Sequence, residues 1–233
     1  MLLRTLAAGA AALALAGTAV AGTPSPTTLA TREAAIHARL GADVAIRWDA
    51  MKTSPRSLRN LAVPTAGATP ADRAARFVRG ERDLLRLDGD VVAVETRAFR
   101  GHVVRLQQTF AGVPVEGRSV VVKLDEGARV TSVTSDLGPL SVPTPATEIT
   151  PAEAQAAVSA RYAVAATGTP TRVVVANASA GRFAWKVPAM VMPVTGLFWV
   201  WVDTETGRVL RTAPAGSDQR LTSLPLRDAE VAR

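Results

Sequence analysis

The stretch that decides the fold is HVVRLQQTFAGVPVEGRSVVVKLDEGARVTSVTSDL, His102 to Leu137. Successive side chains of a strand point to opposite faces. Over its first nine residues that alternation places Val104, Leu106, Gln108 and Phe110 on one face, and Val103, Arg105, Gln107 and Thr109 on the other. Ser119 to Leu124 reads as a second, β-branched strand with Val120, Val122 and Leu124 on one face. Asp125-Glu126-Gly127 is a turn signal, because glycine takes positive φ without a Cβ clash. Val130 to Val133 continues the meander. Between the first two strands, Gly112-Val113-Pro114-Val115-Glu116-Gly117 is stiff at Pro114 and permissive at both glycines.

Outward from this meander, two helix starts repeat the same chemistry. Thr69-Pro70-Ala71-Asp72 offers a capping threonine, a proline for the first helical position and an acid to complete a capping box. The helix is expected to reach about Arg79, with Ala74, Phe77 and Val78 inward. Thr150-Pro151-Ala152-Glu153 begins a second helix, to about Tyr162, with Ala154, Ala157 and Val158 inward. Val91 to Phe99 reads as a strand, whereas Thr53 to Ala68, rich in Pro and Ser, reads as a loop. Later strands are expected at Val173–Val175, Phe183–Val187, Phe198–Val202 and Arg208–Leu210. In the third of these, Phe198, Val200 and Val202 face away from Trp199 and Trp201.

At the N-terminus Arg4, the apolar run Leu6 to Val20 and the small residues Ala19-Val20-Ala21 have the layout of a signal peptide over residues 1–21. The apolar run is short and Ala-rich for a membrane span, so no stable membrane anchor is expected and the chain reads as secreted or periplasmic. Residues 22–41 read as a flexible segment with a helical stretch from Thr31 to Leu40. Among 233 residues there is no cysteine, which excludes disulfides, thiolate nucleophiles and Cys-bound zinc. The net charge of +7, or 7 − 1 = +6 without Arg4, favours an acidic partner. The arginines are scattered and lack interleaved aromatics, which argues against nucleic acid.

The residues Arg105, Gln108, Gly112, Val113, Pro114, Val115 and Gly117 resemble the fungalysin/thermolysin propeptide (FTP) motif, in which a strand carrying Arg-x-x-Gln is followed by a Gly-Val-Pro-Val turn. Ile149 to Ala154, Trp185 to Val187, and Asp203, Gly207, Val209 and Leu210 resemble the signature pieces of a PepSY domain. The pair implies an FTP-like unit over 42–140, a linker over 141–148, a PepSY-like unit over 149–212 and a tail over 213–233 leading to a possible processing site. The fold class expected is α+β, two helix-on-antiparallel-sheet units in tandem. The function implied is that of a non-catalytic propeptide of a secreted zinc metallopeptidase. Its partner would be a thermolysin/fungalysin-like catalytic domain in cis or in trans. A free-standing inhibitor and a cell-envelope binding module remain as alternatives.

Catalytic chemistry finds no foothold in the sequence. The two histidines, His37 and His102, begin no His-Glu-x-x-His helix, and there is no Gly-x-Ser-x-Gly elbow or P-loop. No catalytic, metal or cofactor residue is assigned, and any zinc would belong to the partner. Asp88 and Asp90 read as turn acids. Asn177-Ala178-Ser179 fits a glycosylation sequon, discounted for an Arg- and Ala-rich chain of bacterial character. The candidate contact or motif residues are Arg105, Gln107, Gln108, Gly112, Pro114, Gly117, Trp199 and Trp201. Gln108, on an apolar face, is expected to bond backbone.

Overall fold

The computed structural model describes residues 26–191 and 196–216. The signal-peptide reading of residues 1–21 and the tail beyond residue 216 lie outside them. The first helix, α1 (Pro26–Leu40), is followed by β1 (Ala45–Trp48) and β2 (Pro55–Pro64). Next come α2 (Pro70–Gly80), α3 (Arg82–Leu85), β3 (Asp90–Ala98), β4 (His102–Phe110), β5 (Val113–Leu124) and β6 (Arg129–Ser135). The remainder holds α4 (Pro151–Arg161), β7 (Val164–Thr167), β8 (Thr171–Asn177), β9 (Ala180–Val191), β10 (Gly196–Asp203) and β11 (Val209–Pro214).

Both capping boxes form. The Thr69 hydroxyl accepts the Asp72 N–H at 3.1 Å while the Asp72 carboxylate accepts the Thr69 N–H. Thr150 and Glu153 do the same at the start of α4. Such a cap contributes about 1 kcal/mol. Helix α2 buries Ala74, Ala75, Phe77 and Val78 against the inner face of β3–β4–β5, where Val104, Leu106, Val120 and Val122, with Val133 of the neighbouring β6, complete one core. Helix α4 buries Ala154 and Val158 against Val187, Phe198, Val200 and Val202. Complete burial of one such Val, Leu or Phe is worth about 1.5–3 kcal/mol.

The expectation of two tandem helix-on-sheet units is overturned. Among the described residues strand makes up 49% and helix 21%, and the eleven strands belong to one mixed sheet. The reason lies in β5. Its C-terminal part pairs with β6 and β4, but at Val115 it runs parallel to Val174 of β8 and so carries the sheet across. A separate apolar cluster of Val115, Leu140, Val142, Val174 and Phe183 closes over that crossing. Val142 comes from the stretch read as a linker and Leu140 directly precedes it, while Ser141 between them bridges Ala180.

Three local readings also change. Residues 55–64 form an interior strand with Leu58 and Leu61 buried, rather than a loop. Its period is broken because Asn60 sits at φ 59° and the register to β6 shifts between Arg59 and Val63, which hides the alternation. Helix α1 begins at Pro26, inside the segment read as flexible. In the β5–β6 turn the positive φ falls on Ala128 rather than Gly127, since the Asp125 carboxylate binds the Arg129 N–H at 2.8 Å and moves the turn on by one residue.

Candidate functional site

The geometry around the quoted stretch begins with a two-residue hairpin turn. Ala111 (φ 49°) and Gly112 (φ 77°) are both left-handed, the requirement of the tight turn that matches strand twist. Gly112 and Pro114 are both exposed. Past this turn β5 leaves the ladder. Gln107 pairs with Ser119 and Thr109 with Pro114, so Val115, Glu116, Gly117 and Arg118 bulge out opposite Gln108. Gly117 sits at the bulge at φ 72° with open space around it, so glycine is demanded by backbone conformation rather than by crowding.

Two adjacent glutamines hold the bulge from opposite faces. The Gln107 side-chain amide donates to the carbonyls of Val115 and Arg118, the latter at 2.8 Å, and so satisfies backbone that the bulge leaves unpaired. Gln108 is fully buried and donates to Asp88 O at 2.7 Å and Gly138 O at 3.3 Å. Its Oε1 has no partner among the described residues. Asp88 in turn accepts the Leu140 N–H at 2.6 Å. The bulge also redirects Phe110. It does not continue the face of Val104 and Leu106, but packs beside Phe183 in the cluster at the crossing, with ring centroids 6.4 Å apart.

From the bulge Glu116 reaches the other part of the sheet. Its carboxylate lies 3.1 Å from Lys186 Nζ and 3.5 Å from an Arg211 guanidinium nitrogen. Lys186 stands 4.6 Å over the Trp199 ring and Arg211 stands 4.0 Å over the Trp201 ring, both within cation–π range. Trp201 is buried, Trp199 half-buried, and the Trp201 indole N–H has no acceptor among the described residues. Seven of the eight candidate residues therefore lie along one continuous path from the β4–β5 turn to β10. The eighth, Arg105, stands apart, exposed on the outer face of β4 and without an ion-pair partner among the described residues.

Sequence reasoning missed Glu116, Lys186 and Arg211. Their charges sit 70 and 95 residues apart from Glu116, since 186 − 116 = 70 and 211 − 116 = 95, and only the parallel crossing brings them together. It named Asp203 as a piece of the PepSY resemblance, with no partners for its carboxylate. Burial of Asp203 alone would raise its pKa, but N–H donors of Thr206 and Glu205, the Thr206 hydroxyl and Arg182 together hold it below the ordinary value. Among the described residues there is no cluster of three or more His, Asp or Glu able to hold a metal ion, and no helix long and apolar enough to cross a membrane.

Comparison with known proteins gives a match over part of this region. Residues 90–137 match the family described as Fungalysin/Thermolysin Propeptide Motif. No curated protein matches the chain. Among solved structures, the Bacillus megaterium YpeB C-terminal domain is similar at 11% identity and a TM-score of 0.37, over 82% of this chain and 98% of that one.

Proposed function

We propose that this chain is the non-catalytic propeptide of a secreted zinc metallopeptidase, assisting the catalytic domain to fold and covering its cleft until cleavage. The observation that carries the reading is the propeptide motif at residues 90–137. Its Gln107, Gln108, Gly112 and Gly117 are the residues that turn β5 out of one ladder and into the next. A motif spent on a rigid strand crossing suits a scaffold that presents a surface better than one that performs chemistry. The zinc of such a system belongs to the catalytic domain. Residues 42–140 act as the FTP-like part and 149–212 as a PepSY-like part, with processing beyond residue 212 and export by the signal peptide.

An inhibition titration tests this. The purified chain is added to a native thermolysin-like catalytic domain and hydrolysis of a peptide substrate is followed. Activity is expected to fall to a plateau near one equivalent. Undiminished activity at tenfold excess, with no complex by size-exclusion chromatography, overturns the reading and leaves the envelope-binding alternative.

A further inference from the structure

The sheet has one broad face turned away from α2, and of the outward residues in the two rows below only Ser57 is buried. In the order β1–β2–β6–β5–β4–β3, helix α2 lies on the inner side, and the residues between the buried ones point outward. Hydrogen-bonded register lines these outward residues into rows. One row runs Arg47, Ser57, Thr134, Val121, Arg105, Glu95. The next runs Ala45, Arg59, Ser132, Lys123, Val103, Arg97. Two adjoining rows thus carry five cations and a single carboxylate, and that carboxylate is already held by Arg97.

Arg47, Arg59, Arg105 and Lys123 are exposed and have no ion-pair partner among the described residues. Some arginines elsewhere are matched, Arg56 with Asp136, Arg79 with Asp90, Arg129 with Asp125 and Arg172 with Glu148, while Arg76, Arg161 and Arg208 are exposed without an ion-pair partner among the described residues but lie off these rows. The face is not simply hydrophilic. Val103 and Val121 sit half-buried at its centre, and Val92 on β3 remains 48% exposed beside Gln107. Apolar residues at the centre with arginines around them is the composition of a protein interface. A nucleic-acid surface would instead stack bases on aromatic side chains, and these rows contain none. Six strands at about 4.8 Å spacing make a face about 29 Å wide, the scale of one side of a standard interface.

We infer that this open face of β1–β2–β6–β5–β4–β3 docks the acidic surface of a folded protein partner. If the propeptide reading holds, that partner is the catalytic domain; the charge complementarity itself stands without it. Cations left unpaired on a rigid face cost nothing to free before binding and steer an acidic partner toward it.

The test compares two triple variants of equal net charge by surface plasmon resonance. Arg59→Glu, Arg105→Glu and Lys123→Glu reverse the face. Arg76→Glu, Arg161→Glu and Arg208→Glu reverse exposed arginines away from it. A triple alanine form of the face, Arg59→Ala, Arg105→Ala and Lys123→Ala, serves if the reversal disturbs folding. Probes are an acidic thermolysin-like catalytic domain, poly-L-glutamate and a 20-base-pair DNA duplex. The face variant is expected to weaken both acidic polypeptides by about 100-fold and the control by under about 5-fold, with the wild-type affinity falling as salt rises. If the catalytic domain binds the wild type and both variants lose equally, the inference falls while the propeptide reading stands. If the catalytic domain does not bind but poly-L-glutamate does, and only through this face, the propeptide reading falls and the inference stands. Equal loss on poly-L-glutamate, or a duplex bound more tightly than either acidic polypeptide, overturns the inference.

Discussion

The two stretches of the sheet treat their outer faces in opposite ways. On β8–β11 the outer side is sealed: Trp201 is buried with Val173 and Ala184, Trp199 half covers it, and Lys186 and Arg211 lie across the indoles. On β1–β6 the outer side is left open, with Arg105 and Lys123 reaching into solvent over half-buried valines. Cations occur on both. Where Glu116 meets them they fold down onto aromatic rings and become part of the packing. Where no carboxylate meets them they remain free for another molecule. The same residue type serves structure or recognition according to what the crossing strand brings beside it.

The largest expected effect that sharpens this contrast is on the sealed side. Trp201→Ala removes a side chain only 3% exposed and is expected to cost about 3–5 kcal/mol in chemical denaturation. Trp201→Phe is expected to cost much less, because the indole N–H has no hydrogen-bond partner among the described residues to lose. A phenylalanine variant as unstable as the alanine one contradicts the packing assigned here. Next is the buried glutamine at the crossing. Gln108→Leu keeps the volume but strands the Asp88 and Gly138 carbonyls, and an unfolding measurement is expected to show a loss of about 1–3 kcal/mol.

A smaller effect depends on pH. The Asp203 pKa is lowered in the folded chain, so its contribution is fully present above the ordinary carboxylate value near 3.8 and is lost as pH falls through the lower folded value. Denaturation midpoints of Asp203→Asn are expected to fall less steeply than those of the wild type below pH 4. An identical acid limb in both rejects the hydrogen bonds assigned to Asp203. On the open side the expected change is smallest. Arg105→Ala is expected to leave stability within about 0.5 kcal/mol, as for an exposed residue with no partner. A loss comparable to that of Trp201→Ala would mean that this face is packed rather than open.

Much of the local structure was legible from the chain. Threonine, proline and an acid three residues after the cap announced α2 and α4, and strict alternation announced the inward Val120, Val122 and Leu124. What was not legible came from departures from period. Asn60 at positive φ disguised β2, and the four-residue bulge after Val113-Pro114 turned Phe110 away from the core to which its alternation assigned it. The fold class of two separate helix-on-sheet units failed because of that same bulged strand. One parallel pairing at Val115 and Val174, between residues 59 positions apart (174 − 115 = 59), joins in one sheet the strands on either side of the stretch read as a linker. Of the candidate residues, the glycines and the two glutamines could be placed on the turn and its strand, but nothing local told that Gln107 would serve Val115 and Arg118 while Gln108 served Asp88 and Gly138.

The most direct test of the propeptide account is refolding. A thermolysin-like catalytic domain is denatured, diluted into buffer with zinc and calcium, and its recovered activity measured after the added chain is removed by limited proteolysis. The account predicts a yield that rises with the chain up to one equivalent and that a control protein of equal charge does not reproduce. A yield independent of the chain, at every ratio, contradicts it.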